Sequence, residues 1–152
     1  MYVRTCLLLV CAVFVSCAEV KHEHDHHQVS MGADCPLMVK ALDAVRGIPA
    51  VGLAVTVYRK TDDTWTKVAS GVTEKTGEIH NLMTDADFPA GFYKVKFDTK
   101  PYWQKAGISA FAEYLEVVFE AHGGGHTHYT LPVLMSPFFQ ASGAVAISQD
   151  EH

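Results

Sequence analysis

The sequence predicts an all-β protein, a β-sandwich that contains one short helix. Short runs of alternating hydrophobic and polar residues, rich in β-branched and aromatic side chains, recur from residue 36 to residue 147. Glycine, proline and aspartate residues separate these runs at close intervals. A single segment carries the start and stop signals of a helix. Seven or eight short strands with one helix are typical of two sheets packed face to face.

The alternation gives the strands, and the residues between them give the turns. The predicted strands are 36–43, 53–60, 65–73, 77–80, 92–97, 115–121, 128–135 and 141–147. Turns are expected at 47–49, at Asp62-Asp63 and at the triple glycine 123–125. The helix is expected over 98–107, because Asp98 or Thr99 can cap its start and Gly107 can end it.

The first eighteen residues have the features of a secretory signal peptide. Arg4 supplies a positive charge, residues 7–15 form an apolar run, and Ser16 and Ala18 are small residues at the expected cleavage site. The apolar run is shorter than the roughly 20 residues that a membrane helix needs. We therefore expect a secreted, extracellular protein that begins at Glu19, with no membrane partner.

Cleavage at that point removes three of the four cysteines. Cys6, Cys11 and Cys17 lie in the signal peptide, so Cys35 alone remains and no intrachain disulfide can form. The net charge of the whole chain is −5, and no basic patch is interleaved with aromatic residues. Nucleic acid is therefore not an expected partner.

Residues 19–34 form a polar tail that we expect to be disordered when unbound. Its histidines lie close together and alternate with acidic residues; they are His22, His24, His26 and His27. Imidazole is a favoured ligand of zinc and copper, so the tail predicts metal binding, with zinc the expected ion. The alternative is a solvated tail with incidental histidines. No cofactor is required by this interpretation.

One face of the first strand carries an unusual lysine. Met38, Lys40 and Leu42 share a face, because residues two apart in a strand point to the same side. An unpaired ammonium is costly to bury, so Lys40 must reach water or meet an anion. An apolar cleft with a cation at its mouth suits an aromatic ligand with a carboxylate.

The last two strands present a complementary face. Thr130, Pro132 and Leu134 share one side of a strand, and Ala141, Gly143 and Val145 share one side of the next. All six residues are small or apolar. They either leave room for a bulky ligand or pack a subunit interface, and the sequence pattern leaves both alternatives open.

Several longer segments resemble one protein family. They are CPLMVKALDAVRGIPA (35–50), DDTWTKVASGVT (62–73), TGEIHNL (76–82), FPAGFYKVKFDTKPYW (88–103), GISAFAEYLEVVF (107–119) and HYTLPVLMSP (128–137). Together they resemble the transthyretin/5-hydroxyisourate hydrolase family across most of residues 35–147. The resemblance implies an eight-stranded transthyretin-like (prealbumin-like) sandwich with one short helix, spanning 35–152.

The resemblance to the transthyretin branch also implies a function. It implies a homotetramer, a dimer of dimers, that carries thyroxine or triiodothyronine in a central channel. Lys40 and Glu78 would bind the amino-acid end of the hormone, and Leu42, Thr130 and Leu134 would contact its iodinated rings. Members of the family also dock retinol-binding protein and bind zinc near the positions of Cys35 and His80. Ala141 and Gly143 lack the hydroxyls usual there, which is expected to weaken binding or change ligand preference.

The hydrolase branch of the family is the alternative. In that branch histidines stand at the positions of Lys40 and Thr130 and an arginine at that of Glu78, because hydrolysis needs proton transfer and charge stabilisation. All three residues differ here, and the C-terminal tyrosine-arginine-glycine-serine signature of the enzymes is replaced by other residues. We therefore expect a carrier and not an enzyme.

Overall fold

The computed structural model describes residues 35–122 and 127–148. Within these ranges the chain forms strands, one α-helix and one short 3₁₀ turn, Asp85–Asp87. The strands are β1 (Leu37–Asp43), β2 (Ile48–Pro49), β3 (Ala54–Thr61), β4 (Thr64–Val72), β5 (Glu78–Ile79), β6 (Gly91–Phe97), β7 (Leu115–Ala121), β8 (Thr127–Met135), β9 (Gln140–Ser142) and β10 (Val145–Ser148), and the helix is α1 (Thr99–Lys105).

The strands form two sheets, as the sequence predicts. Sheet A has the order β10-β8-β1-β2, with β5 also pairing with β1 and β9 with β8. Sheet B has the order β4-β3-β6-β7. The pairing of β1 with β8 is parallel and runs from Leu37 opposite Tyr129 to Asp43 opposite Met135. This long parallel pair forms the centre of sheet A.

The core lies between the sheets because alternate residues of each strand point inward. Leu37, Val39 and Ala41 of β1 are fully buried, whereas Lys40 and Leu42 are exposed. Aromatic rings join the two sheets, with Phe119 of β7 at 5.6 Å from Tyr129 of β8 between ring centroids. The predicted alternation of β1 is therefore confirmed.

The helix begins and ends close to the predicted residues, although the predicted capping hydrogen bond is not made. Asp98 occupies the N-cap position, but its side chain makes no capping hydrogen bond and lies 3.2 Å from Lys96 Nζ. At the other end Gly107 has φ +72°, and Ile108 N–H donates to the Trp103 carbonyl at 2.9 Å. This αL termination needs glycine because a Cβ would be strained there.

The last predicted strand, 141–147, is divided in two. β9 and β10 both pair with β8, and Gly143 and Ala144 between them lie outside any strand. The register against β8 keeps Ala141 and Val145 on the predicted face, but the pattern of a single strand does not report the effect of Pro132 on the neighbouring strand. Proline has no N–H to donate to the ladder, so the pairing is interrupted beside it.

Residues 1–34, 123–126 and 149–152 lie outside the described residues. The predicted signal peptide, the histidine tail and the turn at the triple glycine therefore stay predictions. In the part of the chain that the structure describes, the one α-helix is too short to cross a membrane.

Gly77 joins the β5 region to β1 and is expected to tolerate no side chain. Its φ is +75°, and a Cβ would overlap the carbonyl oxygen of Ala41. Gly77→Ala is expected to lower the free energy of unfolding by about 2–4 kcal/mol, the sum of αL strain and a backbone clash. Gly47→Ala is the matched control, since Gly47 has φ +67° with open space around it. Urea unfolding measures the free energy of unfolding of both variants. Equal losses of stability in the two variants would contradict the predicted clash at Gly77.

Candidate functional site

The outer face of sheet A, pointing away from the core, brings the predicted ligand residues into three rows. Strand register sets the rows, because directly opposed residues share a face. Met38 lies opposite Thr130, which lies opposite Val145. Leu42 lies opposite Leu134, which lies opposite Ala141.

The middle row contains the charged residue Lys40. Lys40 lies opposite Pro132, and Gly143 N–H donates to the Pro132 carbonyl at 3.3 Å. On the other side of β1, Lys40 lies opposite Glu78 of β5. The ten residues predicted to bind a ligand are thus placed on one face by five neighbouring strands, β1, β5, β8, β9 and β10, and the short link between β9 and β10.

A cleft of about 260 Å³ lies within this face. It is lined by Lys40, Leu42, Pro132, Val133, Leu134, Ala141, Ser142 and Gly143. Six of these lining residues were predicted from the sequence. Val133 and Ser142 were missed because strand alternation assigns their side chains to the opposite face, and the interruption beside Pro132 is the signal that could have indicated Ser142.

The cation of the cleft is held by an ion pair. Lys40 Nζ lies 2.9 Å from Glu78 Oε1, and the side chains of Lys40 and Glu78 are 46% and 19% exposed. His80 Nε2 lies 3.0 Å from the other carboxylate oxygen of Glu78. Lys40 therefore both reaches water and meets an anion, which are the two outcomes expected for it.

Glu78 is the electrostatic centre of this group. Hydrogen bonds from Lys40 and His80 lower the pKa of its carboxyl, and the small desolvation of the side chain opposes them. The carboxylate is thus ionised at neutral pH and paired with Lys40. Since the Lys40 ammonium has three N–H donors and nearly half of its side chain is exposed, it can also bind a second anion that enters the cleft.

The remainder of the face is apolar and exposed in the single chain. The large apolar side chains in contact with water here are Leu42, Leu134, Val145 and Ile147. Exposed apolar surface of this extent at one place usually marks a ligand or protein contact. The face therefore combines an ammonium with apolar surface that is poorly suited to water.

The predicted metal ligands are only partly brought together. Cys35 Sγ contacts the His80 carbonyl oxygen, while the His80 ring faces Glu78. Burial raises the pKa of the Cys35 thiol, which disfavours the thiolate that a metal needs. Across residues 35–122 and 127–148, no group of three or more His, Cys, Asp or Glu side chains is arranged to hold a metal ion. His22, His24, His26 and His27 lie outside the described residues.

The chain matches the model of one protein family. It is the HIUase/transthyretin family, where HIUase stands for 5-hydroxyisourate hydrolase, and the match covers residues 37–141. These residues include β1 to β8 and most of the cleft. The match supports the sequence resemblance over the same part of the chain.

Two solved structures are similar to the chain along nearly their whole length. The crystal structure of transthyretin from Sparus aurata is 57% identical, with a TM-score of 0.73, and the match covers 75% of this chain and 99% of that one. Sea bream transthyretin in complex with thyroxine is also 57% identical, with a TM-score of 0.72, covering 77% of this chain and 100% of that one.

Proposed function

The chain belongs to the HIUase/transthyretin family, and from this we propose that it is an extracellular carrier of thyroid hormones. The observation on which the proposal rests is the apolar cleft with Lys40 at its edge. Thyroxine combines an amino-acid end with two iodinated aromatic rings, so it presents a carboxylate to an ammonium and apolar bulk to the cleft. The 57% identical sea bream protein, solved with thyroxine, supports the same ligand.

We further propose that two copies of the cleft face each other in a homotetramer. The cleft is open on one side in the single chain, and its exposed leucines would be covered by a second copy. A different apolar patch lies elsewhere on the surface, where the exposed rings of Phe111, Phe138 and Phe139 lie on adjacent segments joined by a hydrogen bond from Phe111 N–H to the Pro137 carbonyl at 2.8 Å. Two different self-complementary surfaces generate a closed tetramer with three two-fold axes.

Absence of hydrolase activity is part of the proposal. Lys40 and Glu78 form an ion pair at the positions where the hydrolase branch has a histidine and an arginine, and Thr130 replaces a second histidine. An ammonium has no lone pair with which to accept a proton, so the Lys40 side chain of this ion pair is a poor general base. Incubation with 5-hydroxyisourate, followed by its ultraviolet absorbance, should show no decay above the uncatalysed rate; faster decay would favour the enzyme.

Replacing the cleft cation tests the carrier proposal. Lys40→Glu would place two carboxylates beside the hormone carboxylate, so we expect the dissociation constant of thyroxine to rise by about 100-fold or more, roughly 2.7 kcal/mol. Competition with radiolabelled thyroxine measures it. Lys100→Glu is the matched control, since Lys100 is 40% exposed and ion-paired to Glu113 at 2.6 Å but lies outside the cleft. Wild-type affinity in Lys40→Glu would contradict the proposal.

Two further partners, zinc and retinol-binding protein, are proposed. Zinc bound by His22, His24, His26 and His27 would modulate hormone affinity, and a titration with and without a chelator tests this. Cys35 and His80 are a separate candidate zinc site. Deletion of residues 19–34 should remove any effect of zinc on hormone affinity. Retinol-binding protein, which members of the family dock, is the second proposed partner, and co-sedimentation of the two proteins tests it.

A further inference from the structure

Strand β4 forms one edge of sheet B. It pairs with β3 on one side, and no strand within residues 35–122 or 127–148 pairs with its other side. The strand spans nine residues, of which only Lys67 is charged, and the side chains of Val68 and Val72 are exposed. A long exposed edge of this kind is a template on which a strand of another molecule can pair.

A β-bulge interrupts β4 at its middle. Val57 of β3 lies opposite Ala69, and the next residue, Tyr58, lies opposite Lys67, so Val68 is an extra residue without a partner on β3. The ladders of β3 with β6 and of β6 with β7 run without such a shift. A bulge bends and twists its strand and leaves the extra residue outside the ladder. The free side of β4 is therefore not a straight row of backbone donors and acceptors.

The position of the bulge follows from the two ends of the β3–β4 ladder, which are both fixed. At one end, the two residues of the hairpin turn 62–63 have φ +49° and +62°, and a turn of this kind sets the register of the strands it joins. At the other end, Gly71 lies against two side chains of the core. A Cβ there would come within 3.2 Å of Leu82 Cδ2 and 3.3 Å of Ile79 Cγ2, so a slip that replaced Gly71 would produce a clash. The extra residue is thus accommodated between the two ends, at Val68.

We propose that the bulge at Val68 and the ammonium of Lys67 beside it keep the free edge of β4 from pairing with the same edge of a second copy of the chain. Antiparallel pairing of two β4 strands about a two-fold axis near their middle would bring the two copies of Lys67 close together. Like charges on neighbouring strands are destabilising when they lie opposite each other. The bulge acts in addition, because a bent strand cannot form a continuous ladder with its copy. The edge is thus protected although no other element covers it.

Removing both protective features tests the proposal. Deletion of Val68 keeps every present pair of β3 with β4, because Lys67 and Ala69 become neighbours in a regular ladder. Combined with Lys67→Thr, the deletion is expected to raise the association constant for assemblies larger than those of the wild type by about tenfold or more. Sedimentation velocity measures these assemblies. Lys105→Thr is the matched control, since it removes the same charge from an exposed position on α1 and should keep the wild-type distribution.

A rescue variant separates edge pairing from a general loss of stability. Ser70 is exposed on the same strand, opposite Thr56. Ser70→Lys, added to the deletion variant, returns an ammonium to the edge and should restore the wild-type distribution, which it would not do if the subunit were merely less stable. Larger assemblies that persist with Ser70→Lys would overturn the proposal, as would their absence in a deletion variant with the circular dichroism spectrum of the wild type.

Lys67→Thr alone keeps the test decisive if the deletion variant fails to fold. This variant retains the bulge and removes only the charge, so it should shift the distribution toward larger assemblies by a smaller factor than the combined variant. A distribution identical to that of the wild type and of Lys105→Thr would then overturn the proposal.

Discussion

Asp43→Ala is expected to lower the free energy of unfolding by about 3–5 kcal/mol, the loss typical of breaking a buried charge network. Asp43 is fully buried at the end of β1. One of its oxygens accepts hydrogen bonds from the backbone N–H groups of Val45 and Arg46, at 3.0 and 2.9 Å. The other accepts from the Arg46 guanidinium at 2.7 Å and from the Tyr102 hydroxyl at 2.9 Å.

The size of this loss follows from what the carboxylate holds together. It fixes the turn after β1 and ties that turn to α1, 59 residues further along the chain. Alanine would leave the buried Tyr102 hydroxyl without this acceptor, which costs about 1–3 kcal/mol, and would remove the two backbone hydrogen bonds of the turn, each worth about 1 kcal/mol. Glu113→Ala is the control, since that exposed carboxylate pairs only at the surface and should change stability by less than about 0.5 kcal/mol.

The contribution of Asp43 to the free energy of unfolding also has a predictable pH dependence. Desolvation acts to raise the pKa of its carboxyl, but the hydrogen bonds from Arg46 and Tyr102 and the guanidinium charge outweigh it and lower the pKa. A carboxyl with a lowered pKa stabilises the fold fully above its unfolded pKa, about 3.9, and loses this contribution as the pH falls through the folded value. The difference in the free energy of unfolding between wild type and Asp43→Ala, measured by denaturant titration, should therefore decrease below about pH 4. If Asp43→Ala lowered the free energy of unfolding by less than about 1 kcal/mol at neutral pH, the predicted stability loss would be contradicted.

Strand alternation predicted the β-sandwich and the residues that share each strand face, whereas the family resemblance indicated which face carries the site. A period of two places Leu37, Val39 and Ala41 inside and Lys40 outside without knowledge of their partners. The same alternation puts Asp43 on the buried side, which is a signal that the sequence interpretation did not use. Its partner Tyr102 could not have been identified, because the contact depends on where α1 packs against β1.

The departures from prediction arise from groups on neighbouring strands. Ala141 and Val145 have the expected register, yet the strand between them is interrupted because Pro132 on β8 lacks a donor. Similarly, the carboxylate beside Lys40 is shared with His80 through hydrogen bonds that single-strand patterns do not report. Periodicity predicts which way a side chain points, whereas pairing partners require the sheet order.

Leu134→Asp is expected to abolish assembly while leaving the single chain folded. Leu134 is 42% exposed in the isolated chain, so a carboxylate there remains hydrated and should alter the stability of the subunit by less than about 1 kcal/mol. In a tetramer closed over the cleft, the same carboxylate would be buried in an apolar interface and would face its symmetry-related copy. Burial of an unpaired charge costs several kcal/mol, so the dissociation constant of the assembly should rise by about 1,000-fold or more.

Val68→Asp supplies the matched control for this substitution, because Val68 is 41% exposed and lies on β4 of the other sheet. Sedimentation velocity at micromolar concentration should show tetramers for the wild type and for Val68→Asp, and monomers or dimers for Leu134→Asp, with circular dichroism spectra unchanged in all three. Thyroxine binding should be lost together with the tetramer, since in the proposed tetramer one chain would supply only one wall of the binding site. A tetrameric Leu134→Asp variant would show that the outer face of sheet A is not where the subunits meet. A monomeric wild type would contradict the proposed assembly itself.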